Sequence, residues 1–327
     1  MQTTPQNSSK SRVTELIKSR VSLAPMAGIT DYVLRSLVRK YSQNCLITTE
    51  MISSEFLAQV KETDISKIDN THHPINFQIS GHKPHLMQAA AKFLSDRADM
   101  IDINMGCPVN KVVKGQDGCS LMKNPDLAAD LVQAVKDGTD KPVSVKFRLG
   151  YTSESMNYVE FGQRMQEAGA EFITIHGRTR AQFYGGHADW AKIKDLKQNV
   201  DVPVFANGDI TSIEDAEKCL ELSGADGVAV GRASMGDPTL IWRIEHFLAT
   251  GERLAPPTLE EKISMLKEHL DKEISLRGEL FGIKFFRKFY SCYISGVKNA
   301  AKARALLVVE DNYNEIIKIL NKILETT

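Results

Sequence analysis

A closed parallel (β/α)8 barrel of the TIM type, followed by a small all-helical domain, is the fold this sequence predicts. Three observations carry the prediction. Short apolar, β-branched runs recur eight times, with helical spacing of apolar residues between them. Polar or small residues follow each run, at the barrel face where such folds keep their chemistry. Strand-like runs then cease, and the chain beyond residue 258 is helical in pattern. A doubly wound open sheet would normally carry GxGxxG after its first strand, where this chain has Ala24-Pro25-Met26-Ala27-Gly28.

Taken in order, strands are expected at Val21–Ala24, Cys45–Thr49, Ile75–Ile79, Met100–Ile103, Val143–Phe147, Phe172–Ile175, Val202–Phe205 and Gly227–Val230. Between them, Pro84 to Phe93 and Pro238 to Leu248 read as helices. Asn124-Pro125 opens another with a cap and a first-turn proline, and Leu127, Leu131 and Val135 form its stripe. Ser212 caps a further helix that Gly224 ends. Two prolines between Glu252 and Pro257 mark a linker. The expected organisation is a flexible polar extension over 1–12, a barrel over 13–251 and a helical domain over 258–327.

Composition bounds the function. The 327 residues are 42% hydrophobic and 25% charged, the profile of a globular protein. No run approaches the ~18 apolar residues of a membrane span, and the polar first dozen residues lack a signal-peptide core, so a cytoplasmic protein is expected. Forty-one basic side chains balance 41 acidic ones, which excludes nucleic-acid coating by bulk charge but not a local basic patch. Five scattered cysteines with no CxxC pair argue against a disulfide framework or a zinc site. No metal is expected, and His72-His73-Pro74, without further ligands, is given no role.

The strand ends carry the candidate chemistry. Asn207-Gly208-Asp209 and Gly231-Arg232 follow the last two strands, the usual phosphate seat of such barrels. Gly106 and Pro108 fix a turn that aims Cys107 at the barrel mouth. A thiol with a pKa near ~8.5 is mostly protonated at neutral pH and serves as a proton donor without tuning. Lys146 and Arg148 share a strand face. Lys146 is open to three readings: a Schiff-base nucleophile, an anion clamp, or half of a structural ion pair. His176 ends a strand and on its own reads as a core histidine.

The motifs APMAGITD (24–31), NFQISG (76–81), DINMGCPVNKV (102–112), VKFRLG (145–150), IHGRTRAQFYGG (175–186), FANGDI (205–210) and AVGRASMGDP (229–238) together resemble transfer-RNA dihydrouridine synthases. The resemblance runs from about Val21 to Leu248, and more weakly over Gly282 to Leu306. It implies a flavoenzyme holding FMN, re-reduced by NADPH, that saturates a uridine of tRNA. Hydride would go to C6 of a flipped-out base and Cys107 would protonate C5. Pro25, Met26 and Ala27 would lie against the flavin ring, with Gln78 and Lys146 on its polar edge. His176, Asn207, Gly208, Asp209, Gly231 and Arg232 would hold its phosphate end. Asn104, Arg148, Arg178 and Tyr184 would meet the substrate. Departures from the family pattern are the bulkier, acidic Gly115-Gln116-Asp117-Gly118-Cys119-Ser120 and Phe289 in place of a histidine.

Six basic residues and no acidic one lie between Ile283 and Arg304: Lys284, Arg287, Lys288, Lys298, Lys302 and Arg304. Lys284, Arg287 and Lys288 share a helical face and are expected on RNA phosphates, while Phe285, Phe286, Phe289 and Tyr293 form an apolar face. A monomer without membrane contact is expected. The rival readings are a flavin reductase of free pyrimidines or enones, a Lys146-dependent aldolase or isomerase, and a silent RNA-binding protein.

Overall fold

The computed structural model describes residues 5–60, 71–296 and 299–325. Their contacts divide into two compact units, 1–30 with 44–231 and 31–43 with 232–327. The helices Tyr32–Tyr41 and Leu240–Thr250 therefore group with the C-terminal helices, a different cut from the proline-marked one near residues 251–258. Both contribute apolar faces to that helical core, with Leu34 and Ile244 fully buried.

The first unit is a closed parallel barrel. Its strands are β1 (Val21–Leu23), β2 (Leu46–Thr48), β3 (Ile52–Ser53), β4 (Ile75–Ser80), β5 (Met100–Asn104), β6 (Val143–Arg148), β7 (Phe172–His176), β8 (Val204–Asn207) and β9 (Gly227–Val230). β1 pairs with both β2 and β9, and β2 pairs with β4, so eight strands close on themselves while short β3 flanks β4. All the pairings between these strands are parallel. Such strands are covered on both faces, which is why they read as continuous apolar runs.

Four strands run one residue further than their apolar stretch suggests, ending on Ser80, Asn104, Arg148 and His176. Backbone pairing continues into polar residues as long as they face the barrel interior, so the last apolar residue is not the strand end. The Val202–Phe205 expectation shifts to Val204–Asn207 because Pro203 has no N–H to pair; its carbonyl instead accepts from Ile173 N at 3.0 Å. The helix openings follow their expected signals: Asn124 and Ser212 accept from Leu127 N and Asp215 N, and Gly224 closes its helix in the left-handed region.

The extension expected over 1–12 is helical from Pro5, as Pro5–Leu16. The reason is apolar: Val13 and Ile17 join Leu46, Met100, Phe172 and Phe205 in one cluster. Met100 and Phe172 begin their strands, so this helix closes the barrel end opposite the strand C-termini.

In the second unit, Thr258 and Glu261 form a reciprocal capping box that starts helix Leu259–Arg277. Helices Glu279–Tyr293, Ala300–Leu307 and Tyr313–Glu325 complete it. Its core holds His269, Phe286, Phe289, Tyr290 and Tyr293, with the His269 ring 4.4 Å from that of Phe289. Among the described residues, no helix is long and apolar enough to cross a membrane.

Candidate active site

Strand register sets the site. Gln78 is level with Asp102, Asn104 with Lys146, Arg148 with His176, and His176 with Asn207. A ring of polar side chains therefore sits at the C-terminal ends of β4 to β8, the face where barrel chemistry is housed.

A chain of hydrogen bonds leads from the barrel interior to Cys107. Asp102 accepts from Ser144 Oγ and from Gln78 Nε2, each at 2.6 Å. Gln78 Oε1 accepts from Asn104 Nδ2 at 2.7 Å, and Asn104 Oδ1 accepts from the Cys107 and Gly106 backbone N–H groups at 2.9 and 3.2 Å. Burial pushes the Asp102 carboxyl up to about 6, against the pull of its bonds to Gln78 and Ser144. Sequence reasoning gave Asp102 and Ser144 no role. The available signal was their position two residues before Asn104 and Lys146, on the same inward strand face.

Cys107 is half-buried, and burial raises its thiol, with the Val109 N–H and the cations of Arg148 and Lys146 pulling partly back. The thiol therefore keeps its proton through neutral pH. Asn104 is buried, with its oxygen and one Nδ2 hydrogen committed to this scaffold. Only its other Nδ2 hydrogen is left for a ligand.

Lys146 Nζ donates to Asn207 Oδ1 at 2.9 Å, and Asn207 Nδ2 donates to Ala229 O at 2.8 Å. Burial, then repulsion from Arg148, lowers the ammonium to about 8. Among the described residues, no carboxylate lies within ion-pair reach of it. Of the three readings open for Lys146, the structural ion pair falls away.

Arg148 and Arg178, both expected on the substrate, are held by the fold itself. Each is at most 2% exposed. Arg148 donates to the carbonyls of Gly106, Thr179 and Phe183 at 2.8–3.0 Å. Arg178 donates to Gly185 O, Gly186 O and both Asp209 oxygens. Arg178 holds the loop after β7, and Arg148 ties that loop to the Gly106 turn after β5, because these turning carbonyls need donors inside the fold. Arg178 also meets His176 Nε2 at 3.2 Å; since guanidinium only donates, that nitrogen accepts and the ring carries its proton on Nδ1. The Asp209 carboxylate is tied to Arg178 and to Ala188 N.

Gly208 has φ +117°, and a Cβ there would stand 2.8 Å from both Ala188 Cβ and His176 Cδ2. The position requires glycine. Gly231 is half-buried beside Met26 and Ala24, while Arg232 and Ala27 are exposed. Tyr184 is exposed at the rim, its ring 5.6 Å from the Arg148 guanidinium.

The helical unit keeps only part of its expected basic face. Lys284 is exposed, but Arg287 pairs with Asp311 at 2.7 Å, a partner from outside the acid-free segment. Lys288 lies over the Phe285 ring at 3.2 Å from its centroid. Lys298 lies outside the described residues.

The model of the dihydrouridine synthase family matches residues 22–325. A probable tRNA-dihydrouridine synthase 1 of Synechocystis is 41% identical over 312 residues, 95% of this chain and 88% of its own length. The tRNA-dihydrouridine synthase B of Shewanella oneidensis is 41% identical over 85% of this chain and 87% of its own. A probable tRNA-dihydrouridine synthase of Rickettsia conorii is 37% identical over 94% and 93%.

Proposed function

The chain belongs to the dihydrouridine synthase family, and from that premise we propose that it reduces a uridine of tRNA with FMN as resident cofactor and NADPH as electron source. The observation that carries the reading is a half-buried, protonated thiol held by the Asp102–Gln78–Asn104 chain at the same barrel face as Lys146, a desolvated cation with no carboxylate partner among the described residues.

The donor set fits a flavin mononucleotide. A half-buried ammonium lowered to about 8 by desolvation gains by facing an anionic, ring-edge acceptor. The tight Gly208 turn beside His176 suits close backbone approach to a phosphate. Gln78 and Lys146 are assigned to the ring's polar edge, and Pro25, Met26 and Ala27 to its face. His176, Asn207, Gly208, the Asp209 backbone, Gly231 and Arg232 are assigned to the phosphate end. Bound FMN supplies hydride to C6 of the uracil ring.

Cys107 Sγ–H supplies the proton for C5, as charge developing there draws a general acid. Asn104 holds that turn, and its remaining Nδ2 hydrogen faces the base. The uracil is out of reach while stacked, so it must be extruded into the barrel mouth, where exposed Tyr184 offers a stacking surface. Lys284 supplies phosphate contact, with the half-paired Arg287 and Lys288 secondary.

The test is Cys107→Ala, assayed in the separate half-reactions. Flavin content, reduction by NADPH and tRNA binding should be unchanged, while dihydrouridine formation falls by about 10²–10⁴-fold. Because the thiol is raised, the parent rate should hold through neutral pH and decline only in the alkaline range. Unchanged uridine reduction in the variant would refute the acid assignment.

A further inference from the structure

We propose that His82 and Asp117 form a positioning pair that holds the Cys107 turn in place for proton delivery, an inference that rests on Cys107 being the acid. His82 follows β4 and Asp117 lies in the loop beyond the Cys107 turn, and His82 Nδ1 meets Asp117 Oδ1 at 2.9 Å. Their side chains are only 25% and 22% exposed.

The loop that Asp117 anchors lies directly on the cysteine. Cys119 N donates to Cys107 O at 3.1 Å. Gly118, at φ +60°, is so close that a Cβ would stand 2.7 Å from Cys107 O and 3.0 Å from Cys107 Cβ. Cys107 is thus held from two sides, by Asn104 from the strand and by Gly118-Cys119 from the loop.

That loop needs an anchor. Gln116 at φ +68° and Gly118 at φ +60° put left-handed turns on both sides of Asp117, and a left-handed glutamine persists only where its surroundings hold it. Asp117 precedes the short turn Gly118–Lys123 but does not cap it with its side chain. Its carboxylate points to His82 instead. The neighbouring charges, Glu55 and Lys83, are engaged with each other at 2.6 Å, which leaves the histidine as the carboxylate's partner. Neither side chain touches the reacting atoms, so the pair acts through Cys107.

The experiment is a double-mutant cycle on the flavin-loaded enzyme with tRNA substrate. Asp117→Ala and His82→Ala should each lower kcat for uridine reduction by about tenfold, with KM for tRNA within about twofold. The double variant should be no slower than either single one. Asp117→Asn and His82→Gln, which can still make the bond, should recover most of the rate and stand in if the alanine variants fold poorly. A second readout needs neither substrate nor turnover: the alkylation rate of Cys107 by iodoacetamide, followed by mass spectrometry of its peptide. It should change in the alanine variants and return in the conservative ones. Parent kcat and parent alkylation in the alanine variants, or losses that multiply in the double variant, would overturn the pair. Parent turnover in Cys107→Ala would instead sink the acid assignment, with alkylation still deciding whether the pair places the thiol.

Discussion

Replacing Arg178 with methionine separates a structural strut from a substrate contact. The methionine keeps much of the apolar stem but removes every donor. The carbonyls of Gly185 and Gly186, at 3.1 and 2.7 Å, lose their partner, as does Asp209, bound at 2.6 and 2.8 Å. Breaking a buried ion pair by removing one member costs about 3–5 kcal/mol. The Asp209 side chain is 25% exposed and keeps the Ala188 N–H at 2.8 Å, so water recovers part of that. The lower end, about 3 kcal/mol, is therefore expected. For a folding unit of this size that is a fall in Tm of about 6–12 °C, read by calorimetry on the flavin-free protein. KM for tRNA, measured well below Tm, should change little. A fall under about 2 °C, together with a large rise in that KM, would refute the strut and put Arg178 on the substrate.

Lys146→Met should stabilise the flavin-free protein at pH 7 by at most about 3 kcal/mol. The ammonium is lowered to about 8 in the fold, so from there up to its unfolded value of 10.5 the unfolded chain holds the extra proton and parent stability climbs with pH. Thermal melts from pH 7 to 10 should show the variant's advantage shrinking; an advantage constant with pH would contradict the desolvated cation. Gly208→Ala should cost about 1–3 kcal/mol through backbone strain alone, and its contact with His176 should weaken flavin binding in a titration; parent affinity would remove the turn from the phosphate seat. Lys284→Ala should flatten the log–log salt dependence of tRNA binding by about 0.7–0.9. Arg287→Ala should flatten it less, because Asp311 already neutralises that charge; equal slopes would deny the pairing in solution.

The sequence by itself determined the barrel and the row of polar residues at its strand ends, Cys107 among the turns that follow them. Those signals are local. Proline and glycine punctuate, β-branched runs mark covered strands, and polar residues just past them mark the open end. Only the tertiary structure decided what each polar group bonds to, because its partner comes from an element far along the chain. Asp209 claims Arg178, Asp117 claims His82, Asp311 claims Arg287, and Gln78 joins Asp102 to Asn104. An arginine in a loop reads as a free cation until the fold shows which carbonyls need its hydrogens. The helix Pro5–Leu16 was hidden for a similar reason: its sparse apolar residues acquire meaning only against Phe172 and Phe205 at the barrel's closed end. Strand spacing travels with the sequence, whereas hydrogen-bond partners are fixed by closure of the barrel.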